Sequence, residues 1–260
     1  MKIKDITNFL EEIAPLTYQE NYDNCGLIVG DSNTSVNATL ITIDCTESII
    51  EEAIERDCNF IIAHHPIIFS SIKKLNGSNY IERTVIKAIK NNIAIYAMHT
   101  NLDNVKHGVN ARIADKLSLK KCKILAPKKN LPNIGSGIIG ELSKPIESMK
   151  FLKNLKDIMV TDCIRYTSIC RSVINKVAIC GGSGSFLLSS AKALEADIYI
   201  SADFKYHEFF DADNQLIIAD IGHYESEQFT KDLIYDLLTK KFTSFAVRLS
   251  KVNTNPINYL

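Results

Sequence analysis

Apolar positions along the chain fall into two alternating patterns. The first is short and continuous, at residues 40–43, 60–63, 93–98, 177–180, 198–200, 216–219 and 245–249. Runs of this length, rich in Ile and Val, predict buried strands rather than helices. The second recurs at helical spacing. Ile6, Phe9, Leu10 and Ile13 ahead of Pro15 predict one short amphipathic helix with a stop. Ile49, Ile50, Ala53 and Ile54 predict another, as do Phe229, Leu233, Ile234 and Leu237. Ser48-Ile49-Ile50-Glu51 also matches a capping box. Strand followed by helix, repeated, predicts βαβ units and an α/β fold with a largely parallel sheet.

Two stretches read as copies of one unit. Residues 39–65 and 176–203 both run strand, polar turn, helix, acidic break, strand. In the second copy Gly181 to Ser185 form the turn and Glu195-Ala196-Asp197 the break. This predicts two similar α/β lobes with mainly parallel sheets, related by an internal repeat. Residues 126–137, with Pro127, Pro132, Gly135 and Gly137, are the candidate linker. The lobes would then be 1–125 and 138–260. A single sheet with one long loop is the alternative that length does not exclude.

Composition narrows the setting. The chain has 260 residues, 46% of them hydrophobic, which is enough for one large domain or two small ones. Thirty basic and thirty acidic residues cancel, so no overall field draws nucleic acid or anionic lipid, and neither is expected as a partner. The lysines at 120–123 and 128–129 read as solvated loop. Seven cysteines, an odd count with no CxxC pair, predict reduced thiols in the cytoplasm. The N-terminus carries mixed charge, without the apolar core of a signal peptide. No apolar run approaches the roughly 20 residues needed to cross a bilayer.

Three motifs carry candidate chemistry. In Phe60-Ile61-Ile62-Ala63-His64-His65-Pro66, an apolar strand ends in two histidines and a proline that stops the ladder. Neighbouring strand residues point to opposite faces, so both histidines can serve one site only where the strand curls at its end. In residues 95–103 a second strand runs into His99 and Asp103; alone, Asp103 reads as a helix-entry residue. In residues 216–227 a third strand meets Gly222, and a helix follows with His223 and Glu227 four apart, on one face. Alone, that pair reads as an exposed polar pair. Ligands of open α/β folds gather at the carboxyl ends of strands. Together, His64, His65, Asp103, His223 and Glu227 exceed the ligand count of a single zinc site. They suit two ions about 3.5–4 Å apart, with a carboxylate between them. Glu227, the longer acid, is the better bridge.

These motifs resemble those of the type 2 GTP cyclohydrolase I homologues, the Ngg1-interacting-factor-three-like family. The resemblance spans nearly the whole chain. It includes Asp23-Asn24-Cys25-Gly26-Leu27-Ile28-Val29-Gly30, His64-His65-Pro66-Ile67-Ile68-Phe69 and His99-Thr100-Asn101-Leu102-Asp103. It continues through Gly108-Val109-Asn110, Cys180-Gly181-Gly182-Ser183-Gly184-Ser185 and Gly222-His223-Tyr224-Glu225-Ser226-Glu227. It implies a dinuclear site on the same five residues, two related α/β lobes with the site between them, and a ring-shaped homohexamer. Tyr22 stands where Trp is common, and Ser201-Ala202-Asp203 where Thr-Gly-Asp is common. The domain that some members carry between the lobes has no room here.

The resemblance also implies a reaction. Two divalent ions per subunit, drawn from zinc, manganese, iron, cobalt and nickel, would make hydroxide available at neutral pH. Attack at C8 of the guanine ring of GTP would open it, releasing formate and leaving dihydroneopterin triphosphate. His99 and His207, close to predicted strand ends, are candidate proton donors, with structural or ligand-orienting roles as the alternative. The Gly181–Ser185 turn is either a weak phosphate cradle or a plain tight turn, and the tight turn is favoured. Two further readings are a hydrolase of another phosphorylated or cyclic-amide substrate, and a non-catalytic metal-binding scaffold or interaction protein.

Overall fold

The computed structural model describes residues 1–260. In chain order the elements begin α1 (Ile3–Ile13), β1 (Gly26–Val29), β2 (Ala38–Thr42), α2 (Glu47–Glu55), β3 (Phe60–Ala63), α3 (Tyr80–Lys90), β4 (Ala94–Ala97) and α4 (Thr100–Asp103). They continue with α5 (Val109–Lys116), β5 (Lys120–Lys128), β6 (Leu131–Glu147), α6 (Ser148–Met159), β7 (Arg165–Tyr166), β8 (Val173–Ser183), α7 (Leu188–Ala193), β9 (Ile198–Ala202), β10 (Ile217–Asp220) and α8 (His223–Glu227). Helix α9 (Thr230–Lys241) and strand β11 (Ala246–Leu249) complete the series. Two compact units result. Unit 1 is Met1–Leu102 with Thr230–Pro256, and unit 2 is Asp103–Phe229 with Ile257–Leu260.

The sheet of unit 1 has strand order β1-β4-β3-β2-β11. Strands β4, β3, β2 and β11 are parallel, and β1 is antiparallel at one edge. Every residue of β2, β3 and β4 is buried, which is why they read as unbroken apolar runs. On one face Leu40, Ile61 and Ile95 pack with Ile49, Ile50 and Ala53 of α2 and Val85 and Ala88 of α3. Each large aliphatic side chain buried this way contributes about 1.5–3 kcal/mol. Helix α1 buries Ile3, Ile6 and Leu10, while Phe9 meets Phe242 edge-on at 5.4 Å between centroids. Helix α2 starts earlier than the capping box at Ser48 predicts. Thr46 is the cap, its hydroxyl accepting from Ile49 N at 3.4 Å, and Ser48 Oγ lies 2.8 Å from it.

The sheet of unit 2 is mixed, in the order β5-β6-β8-β9-β10-β7. Only β8, β9 and β10 are mutually parallel; β5, β6 and β7 join antiparallel. Ala178, Tyr199 and Ile218 pack with Leu187, Leu188 and Ala191. The buried Tyr199 hydroxyl donates to the Gly184 carbonyl at 2.6 Å. The predicted repeat is present as two βαβ units, β2–α2–β3 and β8–α7–β9, each closing on a parallel neighbour.

The unit boundaries differ from the predicted lobes. Residues 126–137 are no linker but the turn region of the β5–β6 hairpin. Its Pro and Gly residues mark a bulge: the register shifts between Pro127 and Lys128, and a Cβ on Gly135 would stand 2.2 Å from the Ala126 carbonyl oxygen. The lysines at 120, 121, 123 and 128 are therefore on an edge strand, not a loop. Unit 1 is also discontinuous, because β11 pairs with β2. All seven cysteines are free, with Cys45, Cys58 and Cys180 buried. No helix is long and apolar enough to cross a membrane.

Candidate metal centre

In unit 1 the pairing of β3 with β2 outlasts the strand. His64 N donates to Thr42 O at 3.1 Å and His65 N to Ile43 O at 2.9 Å, and then Pro66, lacking an N–H, ends the ladder. The two imidazoles end side by side, with centroids 4.8 Å apart. Nδ1 of buried His64 lies 2.8 Å from the Met98 carbonyl. His65 Nδ1 lies 2.8 Å from Asp44 Oδ1, and His99 Nδ1 lies 2.8 Å from Asp23 Oδ1. An acceptor at Nδ1 places the ring proton there and leaves the Nε2 lone pair for a cation, the usual arrangement of metal-binding histidines. His64, His65 and His99 offer ligand nitrogens within 4.8 Å of one another.

The supporting acids are held as carboxylates. Burial works against ionisation of Asp44, but hydrogen bonding to His65 and Thr254 outweighs it and lowers its pKa. Burial likewise opposes ionisation of Asp23. His99, the Thr100 hydroxyl and the Cys25 thiol hold that carboxyl far below the usual range. Thr100 N also donates to Asp23 at 3.0 Å.

In unit 2, β10 ends at Asp220, whose carboxylate accepts from Phe204 N at 3.0 Å and Gly222 N at 3.2 Å and pairs with the Arg165 guanidinium. Gly222 then turns the chain with φ 92° into α8. His223 and Glu227 share a face of this helix, as their spacing predicts, with His223 Nε2 3.2 Å from Glu227 Oε2. Glu227 is only 2% exposed, so this is not an exposed surface pair. His223 Nδ1 lies 2.6 Å from Asp203 Oδ2. Burial would lower the pKa of His223, but the Asp203 and Glu227 carboxylates raise it to about 11. Asp103, which ends α4, offers a carboxylate oxygen within 4.8 Å of one on Glu227. Burial, reinforced by these two charges, pushes the Cys180 thiol up.

The glycine turn of unit 2 shapes the space for Glu227. Gly182 has φ +64°, and a Cβ there would stand 2.3 Å from Glu227 Oε1. Its amide donates to Ser226 Oγ at 2.8 Å, and the Gly181 amide donates to Asn110 Oδ1 at 2.9 Å. These amides are committed within the unit, in line with a tight turn rather than a phosphate cradle. His207 is exposed in a 3-10 segment, with ring contacts to Tyr206 and Phe210, and belongs to none of the groups that could hold a metal.

Three orienting acids, Asp23, Asp44 and Asp203, are not among the residues to which the sequence assigns chemistry, although Asp23 and Asp203 lie in the family motifs. Asp44 follows β2 by two residues and Asp203 directly follows β9, so both sit at carboxyl ends of parallel strands, a signal the sequence carries.

Comparison with known proteins places these features in a group. The family model described as Duf34/NIF3 (NGG1p interacting factor 3) matches residues 1–256. A "GTP cyclohydrolase 1 type 2 homolog" of Clostridium acetobutylicum is 36% identical over 229 residues, covering 87% of this chain and 85% of that protein. One from Campylobacter jejuni is 32% identical over 260 residues, covering 100% of both. The crystal structure of Staphylococcus aureus protein SA1388 superposes with TM-score 0.91 at 28% identity, covering 100% of this chain and 99% of that one.

Proposed function

The chain belongs to the Duf34/NIF3 (NGG1p interacting factor 3) family, and on that premise we propose that it is a cytoplasmic dinuclear-metal hydrolase acting on GTP. His64, His65, Asp103, His223 and Glu227 would hold two divalent ions. One observation carries the reading. His64, His65 and His223 each present Nδ1 to an acceptor, at 2.8, 2.8 and 2.6 Å, which is the second bond a metal-binding imidazole needs. The donor set of imidazole nitrogen and carboxylate oxygen fits zinc, manganese, iron, cobalt or nickel. Bound ions would supply Lewis acidity and lower the pKa of water to about 7.

The residues of the chain would hold, orient and shield. Asp44 and Asp203 fix the ring orientation of His65 and His223. Gly182 leaves room for the Glu227 carboxylate. Of the two histidines considered as proton donors, His99 stands among the ligand histidines of unit 1, whereas His207 is on an exposed aromatic surface. GTP as substrate rests on the name carried by the relatives, and the proposed reaction is hydrolytic opening of the guanine ring at C8 with loss of formate.

The test is direct. Purified full-length protein is assayed for bound metal, loaded, and incubated with GTP while formate and pterin fluorescence are followed. Turnover that disappears in Glu227→Ala supports the proposal. Turnover only on a panel of phosphoesters or cyclic amides would move the substrate. Bound metal with no turnover would make the protein a metal-binding scaffold. The same resemblance proposes a ring-shaped homohexamer, which sedimentation of the full chain checks.

A further inference from the structure

We infer that His99 is a metal ligand, completing with His64 and His65 a three-imidazole site for one divalent ion within unit 1. The inference rests on the metal-binding part of the function proposed above and extends it to a residue outside the five-ligand set.

Strand register is the first argument. Strands β3 and β4 are parallel neighbours with Ala63 opposite Ala97, and Met98 N donates to Ala63 O at 2.9 Å. Continued past the strand ends, that register sets His64 level with Met98 and His65 level with His99. Paired strands run about 4.8 Å apart, and the His65 and His99 rings lie 5.2 Å apart between centroids. The His64 ring lies 5.3 Å from that of His99. Three imidazoles are thus delivered to one place by the sheet itself.

Ring orientation is the second. Each of the three has its own acceptor at Nδ1: the Met98 carbonyl, Asp44 and Asp23. His99 is therefore prepared in the same way as the two histidines already assigned as ligands. Its acceptor is in turn fixed by Thr100 N and Asn24 N, at 3.0 and 2.7 Å. Nitrogen lone pairs brought together repel one another, and a cation relieves that repulsion. Two nitrogens on one tetrahedral ion, each at about 2.0–2.1 Å, stand about 3.4 Å apart. The ligand nitrogens here lie within 4.8 Å of one another, so the rings draw together by up to about 1.4 Å to bind. The exposed Phe69 ring stands edge-on to His99 at 5.6 Å. An all-imidazole set selects zinc, nickel, copper, cobalt or iron over magnesium and calcium.

The test uses cobalt(II) alone as the probe on the full chain. A variant carrying Asp103→Ala, His223→Ala and Glu227→Ala removes the proposed donors of unit 2. Metal per chain is measured after desalting, together with the visible cobalt spectrum, which reports the donor set. Circular dichroism confirms folding. The expected result is one cobalt per chain in that variant. Adding His99→Ala should weaken its binding by roughly a hundredfold or more, and adding Asp23→Asn by about 10–100-fold. His99→Gln in the otherwise natural chain, a milder change, should also alter the cobalt spectrum. A folded triple variant that holds no cobalt would overturn the inference. So would His99→Ala with unchanged affinity and spectrum. Absence of turnover on GTP and on the phosphoester and cyclic-amide panel, with the one-cobalt result intact, would remove the hydrolase reading and leave this site standing. Normal turnover and unchanged cobalt binding in His99→Ala would do the reverse.

Discussion

The Asp44 carboxylate lies 2.8 Å from Nδ1 of His65, and its second oxygen accepts from the Thr254 hydroxyl at 2.7 Å. The orientation of a proposed ligand thus depends on a residue far along the chain. Asp44→Ala should weaken metal binding about 10–100-fold. Thr254→Val should have a smaller effect in the same direction. Competition with a chromophoric chelator measures both, and wild-type affinity in Asp44→Ala would remove Asp44 from the site.

Gly182 limits what Glu227 can tolerate. An Ala there needs a left-handed backbone, with φ +64°, and sets its Cβ 2.3 Å from Glu227 Oε1. Gly182→Ala should lose about 1–3 kcal/mol of stability and most of the metal bound through Glu227. Urea denaturation gives the first figure and metal analysis the second. Full metal content in this variant would show that Glu227 is not held by the turn.

Asp220 closes the turn that delivers His223. It accepts from Phe204 N and Gly222 N at 3.0 and 3.2 Å, and pairs with Arg165. Asp220→Ala strands those donors and should cost about 2–4 kcal/mol, taking two lost partners at 1–3 kcal/mol each with partial rescue by water. Asp220→Asn keeps one good acceptor and should cost less. Thermal melts of the two variants provide the comparison.

Glu52 gives unit 1 an acid-sensitive clasp. Its carboxylate accepts from Ser250 Oγ at 2.5 Å, Lys251 N at 2.9 Å and Arg56 at 2.6 Å. Burial alone would raise its pKa, but these bonds prevail and lower it. A folded-state pKa below the unfolded one means a contribution fully present above the ordinary carboxylate value and lost as pH falls through the depressed one. Glu52→Gln should cost about 1–3 kcal/mol at neutral pH. Its gap from the natural protein should shrink in acid, where Glu52 is itself protonated. Urea midpoints across a pH series test this; a gap that does not vary with pH would refute it.

The strands legible in the sequence are those buried on both faces. Strands β2, β3, β4, β9 and β10 show every residue buried, and each reads as an apolar run. Strand β5 alternates lysines with few buried positions, and β6 opens on exposed Leu131, Pro132 and Asn133 and is continuously buried only over residues 137–140, two of them glycine, so neither reads as an apolar run along its length. The unit boundary was illegible for another reason. The pattern at 245–249 announces a strand, but nothing local says that it pairs with β2. His64 and His65 are legible because they end an apolar run as a pair, and His223 and Glu227 because they stand four apart on one helix. Asp44 and Asp203 also stand just past strand ends, but each is a lone acid among thirty whose partner imidazole is distant in sequence.

The pairing of β11 with β2 also bears on the order in which a ribosome releases the fold. Every strand of unit 2 emerges before β11 does, so that sheet can assemble while one flank of β2, wholly enclosed in the finished protein, still lacks its neighbour. An uncovered apolar edge invites association with other chains. The N-terminal half of a nascent chain is therefore the part that needs chaperone protection longest.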